Sequence, residues 1–244
     1  MSNTIIIIPS RLAATRLPQK PLIKINNKTL IMHVYEKAIQ SQIGEVYVAT
    51  CDEEIASEVS KNGGNFIMTD INHTTGTDRV FEASKKLDLK DTDFVMNIQG
   101  DEPMINPLDI KNLNKLAKKK SLNISTLAYN IEENEDYDNE NIVKVITKNK
   151  ISDNSISEAL NFHRVIPENH YDNVYRHFGI YLYKYSALKM FVNFKKSKNE
   201  IEEKLEQLRA IDNNMEIEVI LANFFSSGID TKKDLDEYIK LLNK

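Results

Sequence analysis

Ile5-Ile6-Ile7-Ile8-Pro9-Ser10-Arg11-Leu12-Ala13-Ala14-Thr15-Arg16-Leu17-Pro18-Gln19-Lys20-Pro21 is the stretch whose reading decides the fold. An unbroken run of β-branched apolar residues is the pattern of a strand buried on both faces, which is how strands of a parallel sheet read. Pro9 is expected to end that strand. Pro18 and Pro21 break any helix beyond it, since proline lacks the N–H that a helix interior needs, so Pro9–Pro21 reads as a loop. The loop carries Arg11, Arg16 and Lys20. Cations gathered in a restrained loop after a buried strand can neutralise a polyphosphate, arginine through its planar fork and lysine as a mobile point charge. The loop has neither a Walker pattern nor G-x-G-x-x-G, which speaks against a P-loop or dinucleotide fold.

Working outward, Leu30, Ile31, Val34, Tyr35, Ala38 and Ile39 recur at helical spacing. Val46–Thr50 reads as a second strand, and Asp52 as the N-cap of a helix that Gly63-Gly64 terminates. Phe66–Met68 is a third strand. Thr77 is expected to cap a helix carrying Val80, Phe81, Ala83 and Leu87. Phe94–Ile98 is a further strand, ending in Gln99-Gly100-Asp101-Glu102-Pro103. Such alternation predicts an α/β fold with a mostly parallel sheet and helices on both faces. In such sheets ligands sit beyond the carboxyl ends of the strands. The loops Pro9–Pro21, His73–Asp78 and Gln99–Pro103 are therefore the places for chemistry.

The second half is less regular. Ile124–Tyr129, Val143–Ile146, His177–Tyr183 and Ile217–Leu221 read as strands, Glu132–Glu140 as an exposed connection, and Lys148–Ser157 as a polar stretch without periodicity. Ile201, Leu205 and Leu208 mark one helix. Thr231 through Asp234 has the Thr-x-x-Asp pattern that opens a final helix. Neither an internal repeat nor a long linker divides the chain.

Bulk properties narrow the function. The chain has 244 residues and a net charge of −4, with 36 acidic and 32 basic residues, a balance that gives no support to nucleic-acid binding. Cys51 is the only cysteine, so an intrachain disulfide is impossible and a reducing cytoplasm is the natural setting. No apolar run is long enough to span a bilayer, so no membrane partner is expected.

Asp101, at the end of a buried strand, and Asp230, beside a helix N-cap, are candidate ligands for Mg²⁺, which binds through one or two carboxylates plus substrate phosphates. The small hydroxyl residues around Gly76 allow a flat base to approach the backbone. Read singly, each of these also fits a turn, a cap or a solvated surface.

Taken in order, the segments resemble a known family. Ile7–Leu22, Thr75-Gly76-Thr77-Asp78-Arg79, Asn97–Pro103, Arg176-His177-Phe178-Gly179-Ile180-Tyr181, Leu205-Glu206-Gln207-Leu208-Arg209 and Gly228-Ile229-Asp230-Thr231 resemble successive blocks of the 3-deoxy-D-manno-octulosonate (Kdo) cytidylyltransferases, or CMP-Kdo synthetases. The resemblance covers nearly the whole chain. It implies a Rossmann-like nucleotide-diphosphosugar-transferase fold with a mixed sheet. It also implies a single domain over residues 1–244, with a smaller sugar-binding and dimerisation part at about 130–215, together with Mg²⁺ dependence and a homodimer. The implied reaction moves CMP from CTP to the anomeric hydroxyl of Kdo, releasing pyrophosphate, for lipopolysaccharide synthesis. Pro9, Arg11, Arg16, Lys20, Thr75, Gly76 and Arg79 would bind the nucleotide, with Lys20, Arg16 and Asp101 at the reacting phosphate. Asp101 and Asp230 would hold Mg²⁺. Gln99, Arg164, His177, Tyr181, Glu206 and Gln207 would face the sugar acid.

One segment departs from the family pattern. Where relatives show Tyr-Phe-Ser-Arg before Ile-Pro, this chain has Asn161-Phe162-His163-Arg164-Val165-Ile166-Pro167. That leaves room for another ulosonate, such as an amino-substituted Kdo. A sugar transferase of the same fold would be expected to show Asp-x-Asp where this chain has Gly100-Asp101-Glu102. A non-catalytic homologue would be expected to lack a phosphate-loop cation or a metal carboxylate, and all are present.

Overall fold

The computed structural model describes residues 2–13, 16–131, 135–153, 155–166 and 172–242. They form two compact units: 1–111 with 224–244, and 112–223. The second unit extends beyond 130–215 at both ends.

The first unit is built on β1 (Thr4–Ser10), β4 (Glu45–Thr50), β5 (Asn65–Met68) and β6 (Phe94–Asn97), in the order β5-β4-β1-β6 and all parallel. A hairpin of β2 (Lys24–Ile25) and β3 (Lys28–Thr29) leads into α1 (Leu30–Gln40). Helices α2 (Glu53–Lys61) and α3 (Gly76–Lys85) complete the alternation. All seven residues of β1 are buried, the outcome expected for an isoleucine run covered on both faces.

Pro9 does not end β1, which runs on through Ser10. The reason is geometric. Ile7 O accepts from Ile98 N, so Ile7, and with it Pro9 two residues on, faces β6. Pairing with β6 stops at Ile7, whereas pairing with β4 continues to Ser10 opposite Thr50. The missing proline N–H therefore falls where no ladder bond is needed. Gly100 exploits the same spot, since a Cβ there would lie 3.0 Å from Pro9 O.

Helix α1 buries Leu30, Ile31, Val34, Tyr35 and Ala38 but leaves Ile39 exposed. Gly63 closes α2 at φ 74°, a left-handed conformation that glycine adopts without steric cost. Thr75, not Thr77, caps α3: its Oγ1 accepts from Asp78 N at 3.1 Å, and Thr77 is buried one residue inside the helix. Helix α9 (Lys232–Leu242) opens with the expected reciprocal cap between Thr231 and Asp234. It buries Leu235 and Tyr238 against Ile25, Leu30 and Ile229, which returns the chain's last segment to the first unit.

Helix α4 (Pro107–Lys120) carries the chain into the second unit, made of β7 (Ile124–Asn130), α5 (Glu135–Asp138), β8 (Lys144–Thr147), β9 (Ile156–His163), β10 (Val174–Lys184), α6 (Tyr185–Asn193), α7 (Lys198–Glu203), α8 (Leu208–Asp212) and β11 (Glu218–Leu221). Pairing runs β10-β7-β11-β9-β8 and returns from β8 to β10, so these strands close on themselves. Only β7–β11 is parallel. The mostly parallel expectation thus describes the first unit, and the second makes the fold a mixed α/β one.

Further differences appear here. Ile201, Leu205 and Leu208 do not share one helix; Lys204, at φ 55°, separates α7 from α8. Ile201 is exposed while Leu205 and Leu208 are buried. The connection Glu132–Glu140 contains the short α5, with residues 132–134 outside the described set, as is Pro167. Among the described residues no helix is long and apolar enough to cross a membrane.

Candidate functional site

The carboxyl ends of β1 and β6 open onto a cavity of about 400 Å³, all of it within the first unit. Pro9, Arg11, Arg16, Lys20, Thr75, Gly76, Arg79, Gln99, Asp101 and Asp230 line it together. Those are ten of the expected residues, drawn from loops far apart in sequence.

Local structure explains how Lys20 is aimed. Gln19 sits in the left-handed region at φ 54°, unusual for a non-glycine residue, directly before the 3₁₀ turn Lys20–Leu22. Leu22 N closes on Gln19 O at 2.9 Å, and Pro21 fixes the turn. The Lys20 ammonium then meets Asp101 Oδ2 at 2.6 Å and Asp230 Oδ1 at 2.9 Å. Burial by itself would lower the Lys20 pKa, but the two carboxylates outweigh it and raise it above the usual value, so the ammonium stays charged. Arg16 reaches the other oxygen of Asp230 at 3.1 Å from a mostly exposed position. Ile229 N donates to Asp101 O at 2.8 Å, and this main-chain bond brings the Asp230 segment alongside the end of β6. Gly228 allows the approach, since a Cβ there would lie 3.0 Å from a Glu102 oxygen.

Two carboxylates already share one cation, the Lys20 ammonium. No cluster of three or more His, Cys, Asp or Glu side chains suited to a metal exists among the described residues. That donor set fits Mg²⁺, which keeps waters and takes substrate oxygens for its other ligands, better than it fits a metal that needs a closed protein cage.

On the opposite wall, the Thr75 hydroxyl both accepts from Asp78 N and donates to Asp78 Oδ2 at 2.9 Å, which holds the start of α3 rigid. A Cβ at Gly76 would protrude to within 3.4 Å of Pro9 Cγ and 3.8 Å of Gln99 Oε1, narrowing the cavity. Arg79 is buried and bonded through Nη1 to Thr69 Oγ1, so it is a fixed charge rather than a mobile one. His73, which also lines the cavity, pairs with Glu82 at 2.5 Å. Burial would raise the Glu82 pKa, but bonds from Asp70 N, Lys86 and His73 bring it down to about 2.

Residues that sequence reasoning did not assign include His73, Thr74, Ser10 and Gly100, each within two residues of an assigned one. Adjacency in the same loops was the available signal.

The remaining expected residues belong to the second unit. His177 is part-buried, with Nε2 3.0 Å from Thr126 Oγ1 and its ring edge-on to Phe162 at 5.0 Å. Burial lowers its pKa to about 3, so it is neutral near pH 7. A bulge makes Tyr181 its neighbour. His177 pairs with Ala128 and Tyr181 with Thr126, because the register shifts between Phe178 and Tyr181. The two rings lie 5.5 Å apart on one face.

Glu206 lies 3.5 Å from Arg209, whose guanidinium is held in a fork by Glu200 at 2.8 and 2.6 Å. Gln207 precedes α8 at its N-cap position. Arg164 donates to Glu203 O at 3.2 Å and to Glu140 O at 3.1 Å, so main-chain carbonyls orient its guanidinium.

Known proteins share this arrangement of sequence and fold. Residues 5–217 match the cytidylyltransferase family. The 3-deoxy-manno-octulosonate cytidylyltransferase of Thermodesulfovibrio yellowstonii is 42% identical over 98% of this chain and 98% of its own length. That of Bartonella tribocorum is 40% identical with the same coverage. A solved CMP:2-keto-3-deoxy-manno-octonic acid synthetase complexed with CTP superposes with a TM-score of 0.89 at 35% identity, covering 99% of each chain.

Proposed function

Since the chain belongs to the cytidylyltransferase family, we propose that it transfers CMP from CTP to the anomeric hydroxyl of Kdo, giving CMP-Kdo and pyrophosphate. The observation that carries this reading is the set of charges around Lys20, where three loop cations and two carboxylates face one cavity. The bond that forms joins the sugar hydroxyl oxygen to the α-phosphorus of CTP. The bond that breaks releases pyrophosphate, and the hydroxyl proton leaves. Such a step needs neutralised charge and in-line positioning more than covalent catalysis.

Arg11 holds the triphosphate, and Lys20 and Arg16 serve the charge that develops at the reacting phosphate. The rigid Thr75–Gly76 turn, facing Pro9 and Gln99, takes the base. Asp101 and Asp230 hold Mg²⁺, which when bound adds positive charge at the phosphates. Lys20 joins these carboxylates to the phosphate oxygens. On the sugar side, Gln99, Arg164, His177, Tyr181, Glu206 and Gln207 recognise the acid, with His177 neutral. A homodimer, a cytoplasmic setting and a role in lipopolysaccharide synthesis belong to the same reading. The lone Cys51 supports the reducing compartment.

The test is pyrophosphate release with Mg²⁺, each of four nucleoside triphosphates, and a panel of sugar acids. We expect turnover with CTP and Kdo, weak turnover with UTP, and none with ATP or GTP. Faster turnover with an amino-substituted ulosonate would reassign the sugar, and the altered segment around His163 is where that change would lie. Equal rates with ATP would remove the Thr75–Gly76 turn from the base site.

A further inference from the structure

Asp52 has the residue type and the position of an N-cap for α2, yet its side chain makes no cap hydrogen bond. Its Oδ2 instead accepts from Leu12 N at 2.8 Å, across to the loop after β1. A side chain at this position ordinarily accepts from one of the helix's first N–H groups, so the carboxylate satisfies a different demand. Leu12 lies between Arg11 and Ala13, both of which line the cavity. Asp52 itself is not among the lining residues.

The geometry is braced from behind. Asp52 N donates to Thr50 Oγ1 at 3.1 Å, and Thr50 is fully buried and in register with Ser10 at the end of β1. The Cys51 thiol also approaches Asp52 Oδ2, at 3.6 Å. The end of β4 thus grips the main chain two residues beyond the end of β1, where the loop turns to present its cations.

We propose that Asp52 is a positioning residue for CTP: its carboxylate fixes the main chain at Leu12 and so sets where Arg11 meets the triphosphate. The proposal rests on the cavity being the CTP site. A negative charge near a triphosphate is electrostatically unfavourable, so the demand is for an acceptor at that place rather than for charge. This separates the roles experimentally. Asp52→Asn keeps an acceptor and removes the charge. Asp52→Ser can cap α2 but is too short to reach Leu12. Asp52→Ala does neither.

The experiment measures the CTP dissociation constant by calorimetry, together with kcat, both Michaelis constants and the melting temperature. Asp52→Asn is expected to bind CTP as well as the parent or better. Asp52→Ser and Asp52→Ala are expected to weaken CTP binding roughly tenfold, the scale of one hydrogen bond to a charged group, with the Michaelis constant for Kdo little changed. Asp52→Ser should melt no lower than the parent, so its CTP defect cannot be ascribed to unfolding. CTP binding by Asp52→Ser equal to the parent's would overturn the proposal. Failure of the parent protein to bind CTP would overturn the assignment of the cavity, and the proposal with it.

Discussion

Lys20 in the first unit and Arg164 in the second are both cations in segments that come after a strand, and both were assigned to substrate from sequence. Their partners differ in kind. Lys20 contacts two carboxylate side chains that line an open cavity. Arg164 contacts two backbone carbonyls, of Glu140 and Glu203. Carboxylates can exchange a lysine for a metal ion or see it move toward a phosphate, whereas carbonyls at loop ends hold an arginine where it is. The carbonyl of Arg164 itself accepts from the fully buried Lys144 at 2.5 Å, and Lys144 also reaches Asn139 O at 2.8 Å. The first arrangement is poised to be re-partnered by ligand; the second staples loops together and presents a guanidinium already oriented.

The largest effect should come from breaking the re-partnering side. Lys20→Ala is expected to lower kcat by on the order of a hundredfold or more, as for loss of a preorganised transition-state donor. Its melting temperature should change little, because the interactions lost are part-exposed. A collapse of stability with normal activity per folded molecule would make Lys20 structural. Next comes Arg164→Ala. It should raise the Michaelis constant for the sugar acid by about tenfold, the scale of a lost charge-assisted bond, and also lower the melting temperature. An equal rise for CTP and sugar would reduce Arg164 to a staple.

The smallest effects lie in pH dependence. The His177 pKa falls by burial from 6.5 to about 3, so unfolding takes up a proton that the fold refuses. Its contribution is present above pH 6.5 and is lost as pH falls toward 3. The Glu82 pKa, lowered from 4.5 to about 2, contributes above 4.5 and loses that contribution as pH falls toward 2. Acid should therefore be felt first through the second unit. Chemical denaturation against pH should show a flatter curve for His177→Asn between 6.5 and 3, and for Glu82→Gln between 4.5 and 2. Unchanged slopes would remove these groups from the acid response.

The same contrast governs how much was legible in advance. The first unit's buried strands are written in β-branched residues, and most of its site lies in three contiguous loops, so pattern and motif sufficed. In the second unit β7, β8, β10 and β11 fall where strands are expected, but β9 is hidden. Strand β9 buries Ser157 and Ala159 and leaves Leu160 exposed, so hydrophobicity does not alternate where burial does. The bulge that sets Tyr181 beside His177 has no period-2 signature.

Long-range docking was equally silent. Asp230 reads as a capping residue until α9 packs on Ile25 and Leu30. Asp52 reads as an N-cap because the same side chain suits capping and gripping a loop, and only geometry distinguishes the two.

Whether the Lys20–Asp101–Asp230 cluster is the reaction centre is decided by pyrophosphate release from Asp101→Asn with saturating CTP, Kdo and Mg²⁺. We expect most turnover to vanish while the melting temperature stays near that of the parent, since the carboxamide keeps the shape but not the charge. Near-normal turnover at saturating Mg²⁺ would contradict that role for the cluster.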